Sequence, residues 1–558
     1  MSESVISISL VMTTKLECSL IPVAATTPPR IPPSTICDNN TPIEYLHPKT
    51  HPTTQTPTLD IEKATETLNE PAPTLPDLNN YISPRQWSPK RKSITTIIVC
   101  CVTIMAAYAA GECSPAFDQL QKAWGVERVP YNLGTTVFTI GFAVTPMLLA
   151  PFSESWGRRP GFLVSGGFFT VCLIGCGASN SLAGLLVGRF FLGLSGSSFS
   201  SIVGGVISDI YESHERNVPM ALFSGATLFG TGIGPLVSSV IASRTTWRWI
   251  HYSQAIASAG IVVVLYFFFA ETREAVLFMR KAMIMNAHYE QMEAAGRYGV
   301  LVPDVSESAS GSGTRLARVR YIVEETGGPS ASLGRRLMLS CSRPFSFLFT
   351  EPVVFFSSLW VAFSWAVLYL NFGSIPLVFS TTYNFTLEQT GAVFAAIAIS
   401  SILSTLLSIY QDKLATSQNL FTKTPETRLY FACIESVLLP IGLFWFGWTA
   451  RESIDWIVPA CGIACSIIGI FSIFLSTFNY LADAYGEFAS SAIAAQSFCR
   501  NLLGGVFPLV TNAMFTDLGY APAASLLGGI GLALTLVPWV LVAFGPKIRA
   551  RSKFARGD

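Results

Sequence analysis

The chain has 558 residues, half of them hydrophobic and only 13% charged, with a mean hydropathy of +0.46 and a net charge of +1. Soluble domains carry about 25% charged residues, so this sequence lacks the polar surface that a water-soluble globule needs. The net charge says nothing about nucleic acid, but no basic stretch is interleaved with aromatics as in single-strand binders, so no nucleic-acid partner is expected.

Residues 1–92 are rich in Pro, Thr and Ser, as in Thr26-Thr27-Pro28-Pro29, and predict a disordered cytoplasmic tail. The start carries Glu3 and no basic segment, so it is a poor signal peptide, and the first membrane helix is expected to act as an uncleaved signal. Apolar runs of about 20 residues, the length that crosses a hydrocarbon core of about 30 Å, then recur. Six fall near 94–112, 131–151, 161–178, 183–208, 219–241 and 250–270, making an N-terminal bundle over 93–270. A polar stretch, 271–350, reads as a cytoplasmic central loop. Six more runs near 353–378, 388–410, 429–449, 455–480, 488–511 and 521–544 make a C-terminal bundle over 351–545, and a basic tail follows at 546–558. The predicted fold is an all-α membrane protein of twelve transmembrane helices in two six-helix bundles, with the glycine-rich fifth and eleventh runs leaving the count open by one.

The halves echo each other: Pro115 closes the first run as Pro376 closes the seventh, and Asp412-Lys413 follows the eighth where Glu154 follows the second. Arg85, Lys90, Arg91 and Lys92 precede the first run, and the central loop and the C-terminal tail are rich in Arg. By the positive-inside rule both termini and the central loop are cytoplasmic. The sequon Asn384-Phe385-Thr386 then lies outside, making Asn384 a glycosylation acceptor.

Three segments carry chemistry. Between the second and third runs stands Ala150-Pro151-Phe152-Ser153-Glu154-Ser155-Trp156-Gly157-Arg158-Arg159-Pro160. Read alone, its carboxylate and two guanidiniums form either a charge latch or an ordinary positive-inside loop. In the fourth run, Gly188-Arg189-Phe190-Phe191-Leu192-Gly193 puts an arginine inside a membrane helix. Such a charge either faces a wet interior or snorkels to the surface. The fifth run holds Gly225-Ala226-Thr227-Leu228-Phe229-Gly230-Thr231-Gly232-Ile233-Gly234-Pro235, whose small residues Gly230 and Gly234 permit close helix contact while Pro235 permits a bend. With no preceding strand and no Lys it is not a phosphate loop. Arg500 lies mid-membrane in the eleventh run, and Glu112 sits towards the outer end of the first as either a titrating or an interfacial carboxylate. Cys172 and Cys176, and Cys461 and Cys465, lie in apolar runs without a nearby His and read as packing residues, so no metal is expected.

These strings resemble the signatures of the major facilitator superfamily. Trp247-Arg248-Trp249-Ile250, Glu271-Thr272-Arg273, Pro425-Glu426-Thr427-Arg428 and Asn479-Tyr480-Leu481-Ala482-Asp483 narrow the resemblance to fungal twelve-span drug–proton antiporters, which include multidrug, polyamine and secondary-metabolite efflux pumps. It covers about residues 86–556. Ser238-Ser239 departs from the Gly-Gly that usually ends the antiporter signature.

The resemblance implies a gating loop of Glu154, Gly157, Arg158 and Arg159, and proton coupling through Arg189, with Glu112 and Arg500 as further candidates. It also implies a cavity lined by the first, fourth, seventh and tenth spans, with Trp365, Tyr369 and Asn371 as substrate contacts. Few formal charges there would favour neutral or amphipathic compounds. The expected protein is a monomeric exporter of small organic compounds in exchange for protons, embedded in the lipid bilayer of the plasma membrane or alternatively the vacuole. It needs no cofactor beyond the proton gradient. The rival readings are a proton-coupled importer of a polyamine or small nutrient, and a non-transporting membrane sensor. No paired His, His-Glu-x-x-His or nucleophile motif lies in the spans, so an enzyme is not expected.

Overall fold

A computed structural model of the chain describes residues 43–46, 76–78, 81–212, 214–294, 300–303, 314–321, 333–417, 424–552 and 554–555. Hydrocarbon offers the backbone no hydrogen-bond partner, so apolar runs of this length fold as helices. The first half comprises α1 (Pro89–Gly111), the short α2 (Phe117–Trp124), α3 (Arg128–Trp156), α4 (Arg158–Ala178), α5 (Leu182–Ile210), α6 (Asn217–Arg244) and α7 (Arg248–Phe268). Two further helices, α8 (Glu274–Ala294) and α9 (Leu333–Thr350), lie in the segment between the halves. The second half comprises α10 (Pro352–Thr382), α11 (Leu387–Val393), α12 (Ala395–Ser417), α13 (Tyr430–Glu435), α14 (Leu438–Thr449), α15 (Ile457–Tyr485), α16 (Ala489–Leu518), α17 (Tyr520–Leu534) and α18 (Leu536–Arg549).

Among the described residues eleven helical segments are long and apolar enough to cross a membrane. The twelfth expected span, α16, is 30 residues long, about 45 Å at 1.5 Å per residue, but it is diluted by Gln496, Ser497, Arg500, Asn501 and Asn512. It therefore passes on length and falls short on hydropathy, for a reason other than its glycines. It packs on α10 within its own half and on α3 of the other. Large apolar side chains point outward on the peripheral helices, including Val164 and Phe168 of α4, Phe267 and Phe268 of α7, and Leu403 and Leu406 of α12. Soluble monomers do not expose so continuous an apolar surface, whereas a lipid-facing one must.

The halves meet along two seams, α3 against α16 and α6 against α11 and α12. The glycine cluster of α6 explains the second. A β-carbon at Gly230 or Gly234 would lie 2.6 Å from the carbonyl oxygens of Ile104 and Tyr108 in α1, and one at Gly232 would lie 2.8 Å from the Ala398 nitrogen of α12. The segment thus presses against helices of both halves at once, which only small residues allow. Ser238 takes part as well, its hydroxyl 3.3 Å from that of Tyr108.

A separate small unit contains a three-stranded sheet. Strand β1 (Ile43–Leu46) runs parallel to β3 (Thr314–Tyr321), which pairs antiparallel with β2 (Val300–Pro303). Ile43 stands opposite Arg318 and Leu46 opposite Tyr321. The expectation of a tail without structure therefore does not extend to Ile43–Leu46, and the central segment is more than a polar loop. A four-residue strand gains its backbone partners only from a distant segment, a pairing that local composition does not encode. Glu293 receives hydrogen bonds from Arg318 and Arg320 at 2.8 and 2.9 Å, and these hold its carboxyl below the usual range.

Candidate functional site

At the end of the bundles that carries Gly157 and Pro425, each half builds a charge cluster of the same design. Arg158 opens α4 and sends its Nε to Asp209 at the end of α5, 3.1 Å away; Arg273 reaches the other oxygen of Asp209 at 3.5 Å. In the second half Arg428 sends its Nε to Asp483 at the end of α15, 2.9 Å away, and Arg216 of the first half approaches Asp483 at 3.9 Å. Asn217 bridges the halves further by donating to Asp412 and accepting from Arg428. An aspartate between two arginines thus closes each half.

The acids behind these clusters differ. Glu271 accepts the backbone N–H groups of Arg158 at 2.8 Å and Arg159 at 3.1 Å, together with those of Thr272 and Arg273. A carboxylate at the first turn of α4 is favoured by the helix dipole. Gly157 makes room for it: its φ of 104° suits a residue without a side chain, and a β-carbon there would overlap the Glu271 carboxylate. In the second half Glu426 instead takes Arg549 in a two-pronged pair at 2.8 and 3.1 Å. The side chain of Glu154 lies outside the described residues. The described acids that meet the Gly157–Arg159 turn are Asp209 and Glu271.

Above this ring lies a cavity of about 1110 Å³ between the halves. Most of its wall comes from α5, α6, α15 and α16, with Phe223, Phe474 and Phe478 as aromatic surface, and α3, α4, α12 and α18 add residues. Trp365, Tyr369 and Asn371 of α10 do not line it. All three are buried, and a β-carbon on Gly504 of α16 would sit 3.2 Å from Tyr369, so this stretch of α10 is consumed in packing against α16. Among the described residues the first and seventh spans likewise supply none of the wall, and α10 is buried along most of its length. The expectation of a weakly charged cavity also fails, since seven arginines and three aspartates border it.

Arg500 stands in this wall about 16 Å along α16, near mid-membrane. It is 4% exposed, with its guanidinium carbon 4.6 Å from the Trp365 ring and 5.0 Å from that of Phe474. Its one hydrogen bond among the described residues runs from Nη2 to Ser497 at 3.3 Å, and Nε has no partner.

Arg189, the arginine buried in α5, is paired with an acid, although its Nη2 has no hydrogen-bond partner among the described residues. Arg189 is fully buried, so it does not snorkel, and it donates from Nη1 to Glu112 at 3.1 Å and to the Ala109 carbonyl at 2.6 Å. Its Nε reaches the Gly134 carbonyl at 3.3 Å, and it lies 4.8 Å over the Phe138 ring. Glu112, also fully buried, shares Oε1 with His251 Nδ1 at 3.0 Å. The triad therefore ties α1, α3, α5 and α7 together. Sequence reasoning missed His251, although it is one of only five histidines and lies three residues into a membrane span. The ligand atoms of Glu112, Cys113 and His251 lie within 4.8 Å of one another, but Arg189 already supplies the positive charge that a metal would bring.

At the triad's end the halves are closed on each other. Ser114, two residues beyond Glu112, donates to the Phe372 carbonyl of α10 at 2.7 Å, and Asn132 and Thr136 of α3 reach the Pro508 and Gly505 carbonyls of α16 at 2.9 and 2.8 Å. Arg244 meets Glu388 at 3.0 Å. Asn384 is exposed just beyond α10 with φ 54°, a left-handed conformation that Asn tolerates.

The family profile described as Major Facilitator Superfamily matches residues 99–508. The efflux pump FUBT of Fusarium oxysporum is 30% identical over 488 residues, covering 86% of this chain and 77% of that pump. The multidrug transporter TPO1_1 of Candida glabrata is 30% identical over 482 residues, covering 86% and 80%. Among solved structures, the proton:xylose symporter XylE superposes with a TM-score of 0.56 at 13% identity, covering 82% of this chain and 97% of XylE, a likeness of fold. Two six-helix halves around a central cavity, closed by paired charge clusters, accord with these matches: the chain belongs to the Major Facilitator Superfamily.

Proposed function

We propose that this chain is a secondary transporter that exports small organic compounds in exchange for protons, working from a plasma-membrane position with both termini in the cytoplasm. The direction of transport follows its relatives, which are named efflux pumps and multidrug transporters over most of their length. The observation that carries proton coupling is the Glu112–Arg189–His251 triad. A wholly buried carboxylate is stable as an anion only while a cation and hydrogen bonds compensate it. Protonating Glu112 removes the charge that holds Arg189 to α1. The same segment carries the contact between halves, since Gly111 packs on Phe372 and Ser114 bonds to it. Neutralisation would thus loosen the closed end from within, letting proton entry alternate with substrate exit. The two arms of a carrier need only a small free-energy difference for such a bias to switch them.

Arg500 has no place in this step, because a guanidinium does not give up its proton and no carboxylate lies within ion-pair distance among the described residues. The Gly157–Arg159 turn, with Asp209 and Glu271, serves as the latch of the opposite end. Asn384 would face outside and accept glycan.

In vesicles loaded with a transported compound, an inward proton gradient should accelerate efflux from the wild type. Glu112→Gln should still bind the compound but lose the acceleration. Gradient-driven efflux that persists undiminished in Glu112→Gln would remove the triad from coupling.

A further inference from the structure

We infer that the cavity recognises organic anions, and that Arg500 is the residue that binds the carboxylate of an aromatic or amphipathic acid; this rests on the reading of the cavity as the export site. Arg500 is a buried cation in the cavity wall with four of its five N–H donors unmet among the described residues. Burial without a counter-charge is costly and persists where function needs it. The neighbouring Gln496 is 2% exposed and its Nε2 donor also lacks a partner, so unmet amide and guanidinium donors stand on successive turns of α16 among the described residues. The Trp365 and Phe474 rings, whose centroids are 4.7 Å apart, both lie on one side of the guanidinium, which leaves its other side to an incoming ligand. Arginine matches a carboxylate in two parallel hydrogen bonds, a fit that a neutral amide or an amine does not reproduce.

The rest of the wall points the same way. Among the described residues the cavity is bordered by seven arginines and three aspartates and by no glutamate or lysine. Its aspartates lie in the ring at the mouth, where Asp209 and Asp483 are each held between two arginines. None is spare at the depth of Arg500. Phe223 and Phe478, whose ring centroids lie 6.1 Å apart, give an apolar wall for the body of the ligand. A polycation would meet an uncompensated positive charge there, so the arrangement disfavours polyamines.

The probes are 4-phenylbutyrate, 4-phenylbutanamide and 4-phenylbutylamine, which share a body and differ in charge. Binding to the purified full-length protein in nanodiscs is measured by calorimetry at pH 7 without any gradient. The wild type should bind the carboxylate at least about tenfold more tightly than the amide, and the amine most weakly, as expected for one charge-assisted two-pronged contact. Arg500→Gln should erase the preference for carboxylate while amide binding stays within about threefold, which also reports an intact cavity. Arg500→Lys, which keeps the charge but not the fork, should retain part of it, and decides the matter if Arg500→Gln fails to fold. Equal or stronger binding of the amine or amide by the wild type, no binding of any probe, or a preference that survives Arg500→Gln or is unchanged in Arg500→Lys would overturn the inference. Glu112→Gln should leave this ranking intact. In the wild type, the ranking without efflux of any compound would count against the transport reading, and efflux of other compounds without the ranking against the anion inference alone.

Discussion

Each half of the molecule buries one arginine at membrane depth, and the two are treated in opposite ways. Arg189 in α5 has a carboxylate, two backbone carbonyls and an aromatic face. Arg500 in α16 has two aromatic faces and a hydroxyl, and it borders a cavity. A compensated charge is a structural tie that becomes a switch only when its partner is neutralised. An uncompensated one keeps donors free to meet an acid. The ring shows the same divergence between halves. Glu271 is used on backbone amides and Glu426 on Arg549, although both lie in Glu-Thr-Arg strings.

The comparison breaks most readily at Glu112. Glu112→Ala should lower stability by about 3–5 kcal/mol, because it leaves Arg189 buried without a counter-charge. Thermal unfolding of the purified protein reads this directly, and a loss under about 1 kcal/mol would mean that Arg189 finds other partners. A smaller effect is expected at Gly157. Gly157→Ala adds a β-carbon where φ is 104° and the Glu271 carboxylate stands, at a cost of about 1–3 kcal/mol. The second half has no counterpart glycine at Pro425–Leu429, so Thr427→Ala should cost less in the same unfolding measurement. The smallest effect, and one of opposite sign, belongs to Arg500. Arg500→Met should leave stability unchanged or raise it by about 1 kcal/mol, since an apolar chain of similar reach replaces a charge that nothing pairs. A large loss there would show that Arg500 is a tie after all, and would erase the contrast with Arg189.

Much of the architecture was legible because hydrocarbon imposes a length and a composition on every segment it touches. The six-plus-six runs, the span holding Arg189 and the close-packing role of Gly230 and Gly234 all follow from local sequence. The eleventh span was legible as well, yet its low hydropathy comes from Gln496, Ser497, Arg500 and Asn501, polar residues that a helix tolerates only beside a cavity. The choice of substrate contacts was not legible. Trp365, Tyr369 and Asn371 have the residue types of a binding wall, but a helix has several faces, and which face meets the cavity depends on how α10 sits against α16.

The sequence by itself determined that this is a twelve-span carrier of the Major Facilitator Superfamily with arginines inside the membrane, because span length, small-residue spacing and intramembrane charge are each local properties. Only the tertiary structure decided that Glu112 meets both Arg189 and His251, that Glu271 seats on the amides behind Gly157, and that Ile43–Leu46 pairs with Thr314–Tyr321. It also decided which arginine is left without an acid. Whether a buried charge is compensated depends on groups far apart in the chain, 77 residues from Glu112 to Arg189 and 139 from Glu112 to His251, and no local pattern encodes those distances.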